Sequence, residues 1–217
     1  QLVKKGVERM NKQLEHILRC PITKGPLREM KMNEIKEVND RISKGELVHF
    51  DGTVVERQIG SGFVSLNGRF VYPIEEDIVI LLQNLAVLLN NHWVDRSPKD
   101  SLRKDKKDVR DFYDQVGWQR GEEGLFVDAL IFEDLRPVSR DYIHKCHMRV
   151  TRHLKHSGRY ILDAASGPIQ YPEYVSYSSN FDIRICADIS FLALKEAKTK
   201  LGNKGIYLLA DITDLPL

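Results

Sequence analysis

Three aspartates are the residues of this chain best placed to act together chemically. Asp163, Asp188 and Asp211 each follow a short run of apolar residues. Such runs are typical of buried parallel strands, and ligands of open α/β sheets bind beyond the carboxyl ends of the strands. The intervals between the acids match the length of a strand-helix-strand unit. The sequence therefore predicts three consecutive parallel strands whose acids line one pocket.

Helices and a small-residue turn must position these acids. The turn after the first strand reads Asp163-Ala164-Ala165-Ser166-Gly167-Pro168. A helix capped by Ser190 and ended by Gly202 is predicted after the second strand, with inward-facing residues Leu192, Ala193, Ala197 and Leu201. Another helix is predicted to start at the cap Ser139 and to run to about His156, with an apolar line of Ile143, Cys146, Val150 and Leu154.

The first half of the chain shows the patterns of a small α+β unit. A helix is predicted over residues 33–44, where apolar residues recur at helical spacing, at Ile35, Val38 and Ile42. Asn67-Gly68 lies between two apolar runs and accepts the positive φ angles of a two-residue type I′ hairpin turn. Residues 90–108 are polar and charged, which predicts a linker.

The composition is that of a globular protein. Of 217 residues 42% are hydrophobic, and the net charge of +2 predicts no strong attraction to nucleic acid. The longest apolar stretch, residues 78–89, is interrupted by polar residues and is shorter than a membrane span. Three cysteines suit a reducing compartment, so we expect the cytoplasm. The start lacks a secretory signal and an initiator methionine, and we expect a trimmed product.

Residues 109–217 resemble the class I S-adenosylmethionine-dependent methyltransferases. The resemblance implies a Rossmann-like α/β sheet and S-adenosyl-L-methionine as cofactor. It implies that Gly167 lets the methionine part approach the main chain, that Asp188 accepts from the ribose hydroxyls, and that Asp211 with the main chain of Ile212 holds adenine. An aromatic segment around Tyr113 is similar to one that folds over the donor in such enzymes. The implied cofactor-binding residues are Asp163, Ala164, Ala165, Ser166, Gly167, Asp188, Ile189, Asp211, Ile212 and Tyr113.

The first motif departs from the family at one position and leaves other functions open. The family often carries glycine where Ala165 stands, which indicates a tighter turn or an altered cofactor pose. A nicotinamide dinucleotide would need a Gly-x-Gly-x-x-Gly turn for its pyrophosphate, and this turn offers only Gly167. Each aspartate could also be an ordinary turn or cap residue. A non-catalytic scaffold that retains a cofactor-type fold is the alternative function.

Residues 10–83 resemble the Trm112-like family of small domains, on the segment around Cys20-Pro21 and the later segments 62–64 and 71–82. The resemblance implies that this domain stabilises or activates the methyltransferase half. Relatives often bind zinc through paired Cys-x-x-Cys ligands, but Thr23 occupies the second position here, so we expect no metal. Cys20 is predicted to pack as a small hydrophobe. The predicted domains are 1–89, a linker 90–108, and 109–217.

Two further groups allow other interpretations. Five side chains crowd one predicted helix and could in principle share a metal: His144, Cys146, His147, His153 and His156. A solvated helix face is the simpler interpretation. The same helix and its flanks carry Arg140, Lys145, Arg149, Arg152, Lys155 and Arg159, which could meet RNA or an anionic substrate, or simply face water.

A complete class I domain has seven strands with the first one central, and this sequence ends after the third. We expect the parent protein to continue, or another chain to cover the open edge of the first strand. The methyl acceptor, whether small molecule, protein or RNA, and any catalytic base stay unassigned. Methyl transfer from a sulfonium needs alignment more than a protein nucleophile.

Overall fold

The computed structural model describes residues 14–90, 104–121 and 124–217. The chain forms two compact units, one made of Gln1–Arg103 with Thr213–Leu217 and the other of Lys104–Ile212. The fold is mixed α/β, as predicted at the level of class. Of the predicted linker, residues 91–103 lie outside the described residues. No helix in the described ranges is long and apolar enough to cross a membrane.

The described part of the first unit contains an antiparallel sheet and a twelve-residue helix. Its strands are β1 Leu27–Glu29, β2 Val48–His49, β3 Gly62–Ser65, β4 Phe70–Glu75, β5 Ile78–Ile80 and β6 Val87–Leu88, and helix α1 is Met32–Ser43. Strand β3 pairs with β1 and β4, and β4 also pairs with β5 and β6. The predicted helix is confirmed, including its buried face of Ile35, Val38 and Ile42.

The core of this unit lies between α1 and the sheet. Its members are apolar residues from the helix, the strands and the loops between them: Met30, Ile35, Val38, Ile42, Leu47, Val55, Ile59, Val64, Val71 and Val87. All four residues of β3 are buried, and Phe63, Phe70 and Tyr72 are fully so. Burial on both faces of the sheet gives this unit a closed core.

The hairpin turns differ from the prediction. Gly68 has φ +67°, but Asn67 is not left-handed, and the turn is closed by the Gly68 N–H donating to the Ser65 carbonyl at 2.8 Å. The expected two-residue type I′ turn at Asn67-Gly68 is therefore wrong. A two-residue loop with both φ angles positive, as type I′ requires, occurs instead at Glu76 and Asp77, between β4 and β5.

Cys20 lies fully buried in the first unit, as predicted. Its Sγ lies 3.0 Å from the Tyr72 hydroxyl, and it also accepts the Thr23 N–H at 3.3 Å. Burial, followed by the nearby Cys20 thiol, raises the pKa of Tyr72 far above its usual range. A thiol and a phenol therefore satisfy each other in the core of the first unit.

The second unit contains three parallel strands and their helices. The helices are α2 Lys104–Phe112, continued by the π-helical turn Tyr113–Gly117, then α3 Val127–Phe132, α4 Arg140–Arg149, α5 Pro172–Ser176 and α6 Phe191–Leu201. The strands are β7 Gly158–Ala164, β8 Phe181–Asp188 and β9 Gly205–Leu209. Strand β8 pairs in parallel with both β7 and β9. Three consecutive parallel strands were predicted, and the pairings confirm them.

Helix α4 is shorter and less buried than the sequence pattern predicts. It ends at Arg149 and continues only as a 3-10 turn to Arg152, and none of its residues is buried. Ser139 does not cap it with its side chain. Ser139 already has helical backbone angles, φ −86° and ψ −15°, and its hydroxyl donates to the Asp134 carboxylate. Helix α6 follows the prediction more closely. Ser190 Oγ accepts the Ala193 N–H at 3.1 Å, and Leu194, not Leu192, completes the buried face.

Candidate functional site

The turn after β7 has an unusual backbone. Ala165, Gly167 and Ile169 have φ angles of +57°, +55° and +52°, so left-handed residues alternate along it. Only glycine adopts this region without a steric penalty, and Ala165 holds it while donating its N–H to the Ala187 carbonyl at 2.8 Å. The turn thus has the left-handed conformation that a glycine at position 165 would adopt freely. Ala164 and Ala165 are exposed, and Gly167 is buried.

Asp188, the last residue of β8, joins this turn to the next helix. Its Oδ2 accepts the Gly167 N–H at 2.8 Å and its Oδ1 accepts the Ser190 N–H at 2.9 Å, while the side chain is 8% exposed. Burial raises the pKa of Asp188, and hydrogen bonds from the main chain of Ser190, Gly167 and Ile189 oppose that rise. An ionised carboxylate can accept about four hydrogen bonds, so Asp188 retains acceptor capacity beside the turn.

Asp163 is held by a different partner. Its Oδ2 accepts from Nε of Arg184 at 3.0 Å and also from Nη2 of the same guanidinium. Arg184 is only 3% exposed and donates its remaining Nη1–H to the Tyr174 carbonyl. Parallel pairing sets Ile161 opposite Arg184, which brings the two charges together on one face of the sheet. Among the described contacts, Asp163 thus meets Arg184 and not the other two acids.

Asp211 lies two residues beyond β9 and forms an ion pair with Lys106 of α2. The Ala210 N–H donates to the Asp188 carbonyl at 2.9 Å, so the carboxyl ends of β8 and β9 are adjacent. Ile212 is 44% exposed, and Ile189 is half-buried. The acids at 188 and 211 therefore follow neighbouring strand ends, as predicted, but Asp211 already has a cationic partner.

The aromatic segment packs next to the turn. The Tyr113 ring stacks on Trp118 with centroids 4.8 Å apart, and Trp118 meets Phe126 edge-on at 5.7 Å. Two ring carbons of Trp118, Cζ2 and Cη2, lie 3.5 and 3.6 Å from where a Cβ on Gly167 would stand. Burial and, after it, the charges of Asp128 and Asp188 raise the pKa of Tyr113. The segment thus covers the turn that the sequence singled out.

Two residues of this region escaped the sequence analysis. Asp114 Oδ1 accepts the Ser190 hydroxyl and, at 3.3 Å, the Leu192 N–H, so it caps α6 from a distant part of the chain. A negatively charged side chain stabilises a helix N-terminus. Sequence spacing does not reveal this one, because Asp114 lies 76 residues before Ser190 in the chain. Trp118, five residues beyond Tyr113, is the second. No local pattern places its ring on Gly167.

A second cluster joins α4 to the α5 region. The Nδ1 atoms of His147 and His144 lie 3.0 and 3.3 Å from Oε1 of Glu173, and the His147 ring packs against Tyr171 and Tyr174. A cleft of about 440 Å³ beside this cluster is lined by charged, aromatic and apolar side chains: Cys146, His147, Val150, Leu154, Ile161, Leu162, Asp163, Tyr174, Tyr177 and Arg184. No group of His, Cys, Asp or Glu side chains in the described part of the chain is arranged to hold a metal ion.

Known proteins offer few matches to this chain. No model of a known protein family matches the sequence, and no curated protein matches it. Among solved structures the chain is similar to the solution NMR structure of XF2673 from Xylella fastidiosa, with 24% sequence identity and a TM-score of 0.30. The similarity covers 36% of this chain and 80% of that protein.

Proposed function

We propose that the second unit binds S-adenosyl-L-methionine and belongs to a class I methyltransferase. The observation that carries the proposal is the hydrogen bond from the Gly167 N–H to the Asp188 carboxylate, which joins the small-residue turn to the acid of the next parallel strand. Ligands of open α/β sheets bind at this end of the strands. A buried carboxylate beside a left-handed turn offers both hydrogen-bond acceptors and close access to the main chain.

The residues present suit the two ends of this ligand. Asp188 would accept from the ribose hydroxyls, and Asp211 with the main chain of Ile212 would lie at the adenine. The turn from Ala164 to Gly167 would run along the methionine part, with Tyr113 and Ile189 at its sides. Asp163 contributes indirectly in this proposal, because its carboxylate neutralises the buried Arg184 at the strand end where the turn begins. The bound cofactor would supply an activated methyl group, and the protein would align it with the acceptor.

For the first unit we propose a Trm112-like domain that stabilises or activates the second. Support comes from its antiparallel sheet, its single long helix and the buried Cys20 at the position of a family ligand. We also propose a cytoplasmic location, since all three cysteines of the chain are unpaired thiols.

Calorimetric titration with S-adenosylhomocysteine tests the cofactor proposal. We expect the unmodified chain to bind, and Asp188→Asn to lower the affinity at least tenfold, because a charged acceptor is lost. Asp182→Asn is the matched control, since Asp182 is an exposed acid on the same strand. Circular dichroism must show both variants folded. Absence of binding by the unmodified chain would contradict the proposal and favour a non-catalytic scaffold.

A further inference from the structure

One buried hydrogen-bond donor among the described side chains of the second unit has no partner. Among the described side chains, Trp118 Nε1 and Asn84 Oδ1 are the buried polar atoms without a hydrogen bond. An unsatisfied buried donor costs about 1–3 kcal/mol, so proteins rarely retain one without a reason. Trp118 lies beside the candidate site, whereas Asn84 belongs to the first unit.

The position of the indole is fixed by its neighbours. Tyr113 stacks on one face with an interplanar angle of 17°, and Phe126 meets the ring at 85°. Cζ2, which contacts the Gly167 position, is bonded to the same ring carbon as Nε1. The unpartnered N–H therefore lies within a few bond lengths of the turn, on a ring that packing holds in place.

We propose that the Trp118 N–H binds the α-carboxylate of the methyl donor. The inference rests on the proposed function, in which the methionine part runs along the turn at Gly167. The indole N–H can only donate. In the methionine part the ammonium group is also a donor and the sulfonium is a poor acceptor, so the carboxylate is the group that can accept. A hydrogen bond to an ionised acceptor is stronger than one to a neutral acceptor, and it would satisfy a donor that the protein shields from water.

Two ligands and one variant test this assignment. S-adenosylhomocysteine carries the carboxylate, and 5′-methylthioadenosine lacks it while keeping the adenosine and the thioether. Trp118→Phe keeps an aromatic ring and deletes the N–H. We expect the variant to bind S-adenosylhomocysteine about 10- to 100-fold more weakly than the unmodified chain does. Its affinity for 5′-methylthioadenosine should change less than about twofold, since neutral contacts remain.

The possible outcomes distinguish carboxylate recognition by Trp118 from the proposed cofactor binding itself. Equal losses for both ligands would overturn it, because the indole would then act on the adenosine part or through packing alone. Unchanged affinity for S-adenosylhomocysteine would overturn it as well, while leaving the cofactor proposal intact. If the unmodified chain binds neither ligand, the proposed function fails first, and the inference fails with it.

Nuclear magnetic resonance of the unmodified side chain gives a second measurement that does not depend on the variant's folding. The chain contains two tryptophans, and Trp93→Phe leaves the Trp118 indole as the single Nε1–H signal. S-adenosylhomocysteine should move this proton downfield, as a charge-assisted hydrogen bond requires. 5′-Methylthioadenosine should leave it near its free position. The same shift with both ligands would contradict carboxylate recognition.

Discussion

Two strands, β3 of the first unit and β7 of the second, differ sharply in burial. In the first unit every residue of β3 is buried, and Phe63 is fully inaccessible. In the second unit β7 alternates between exposed and half-buried residues, and Leu162 is 46% exposed. Yet β7 leads into the candidate site, while β3 leads into a hairpin. The strand next to the candidate site is thus the more exposed of the two.

This difference shows where each unit finds its stability. The first unit closes its core with its own helix and strands. In the second, β9 and the carboxyl-terminal half of β8 are buried. However, α4 buries none of its residues, and β7 pairs with β8 alone among the described strands. Regions with few buried contacts open at low free energy, so β7 should exchange its amide protons earlier than β3.

The largest expected effect tests this contrast directly. Phe63→Ala should destabilise the first unit by about 3–5 kcal/mol, because it leaves a cavity in a closed core. Leu162→Ala should cost less than about 1 kcal/mol, because much of that side chain is already in water. Urea unfolding of the full chain, followed by hydrogen exchange of peptides from each unit, measures both. Equal costs would show that β7 is as well packed as β3.

The buried ion pair should be the strongest local interaction of β7. Asp163→Asn leaves the guanidinium of Arg184 buried without its counter-charge, and we expect a cost of about 2–3 kcal/mol in the second unit. The matched control is Asp182→Asn, an exposed acid on the same strand as Arg184, which should cost less than about 0.5 kcal/mol. The double variant with Arg184→Met should recover part of the loss. Similar unfolding midpoints for the two single variants would show that the ion pair does not stabilise the second unit.

A smaller effect of opposite sign is expected in the turn. Ala165→Gly should stabilise the second unit by about 0.5–1 kcal/mol, since glycine relieves the left-handed strain at φ +57°. Ala164→Gly, one residue earlier in β7, should instead destabilise it by about 0.5–1 kcal/mol. Thermal unfolding of both variants gives the comparison. A loss of stability at position 165 would mean that the turn does not hold that backbone conformation.

The smallest effect concerns pH in the first unit. The hydrogen bond from the Arg28 guanidinium, helped by the Lys31 N–H, lowers the pKa of Glu34 from 4.5 to about 2. The ionised form therefore favours folding, and its contribution is fully present above pH 4.5 and disappears as the pH falls towards 2. Glu34→Gln should cost about 1 kcal/mol at neutral pH, since both side chains are about one-third exposed.

Urea unfolding across the acid range checks the pH dependence. The difference between Glu34→Gln and the unmodified chain should shrink steadily below pH 4.5. Glu37→Gln, an exposed acid on the same helix, is the control and should show little difference at any pH. A constant difference for Glu34→Gln would indicate a packing effect and not an electrostatic one.

Much of the local structure could be predicted because neighbouring residues decide it. Helix α1, the Ser190 cap and the three parallel strands all follow from spacing and capping chemistry. The extension of α4 to His156 was wrong. The helix ends at Arg149 and continues as a 3-10 turn to Arg152, although Val150 and Leu154 of its apolar line still face the cleft beside β7. The type I′ turn at Glu76 and Asp77 was missed because neither residue is glycine or asparagine.

The sequence by itself determined the strands, their order along the chain and the acids that follow them, because apolar runs and turn residues act over a few positions. Only the tertiary structure decided which partner each acid meets. Asp163 pairs with Arg184 because parallel register aligns their strands, and Asp188 accepts the Gly167 N–H because the turn folds back onto β8. These pairings join residues 21 positions apart, and distances of that kind are set by packing and not by local pattern.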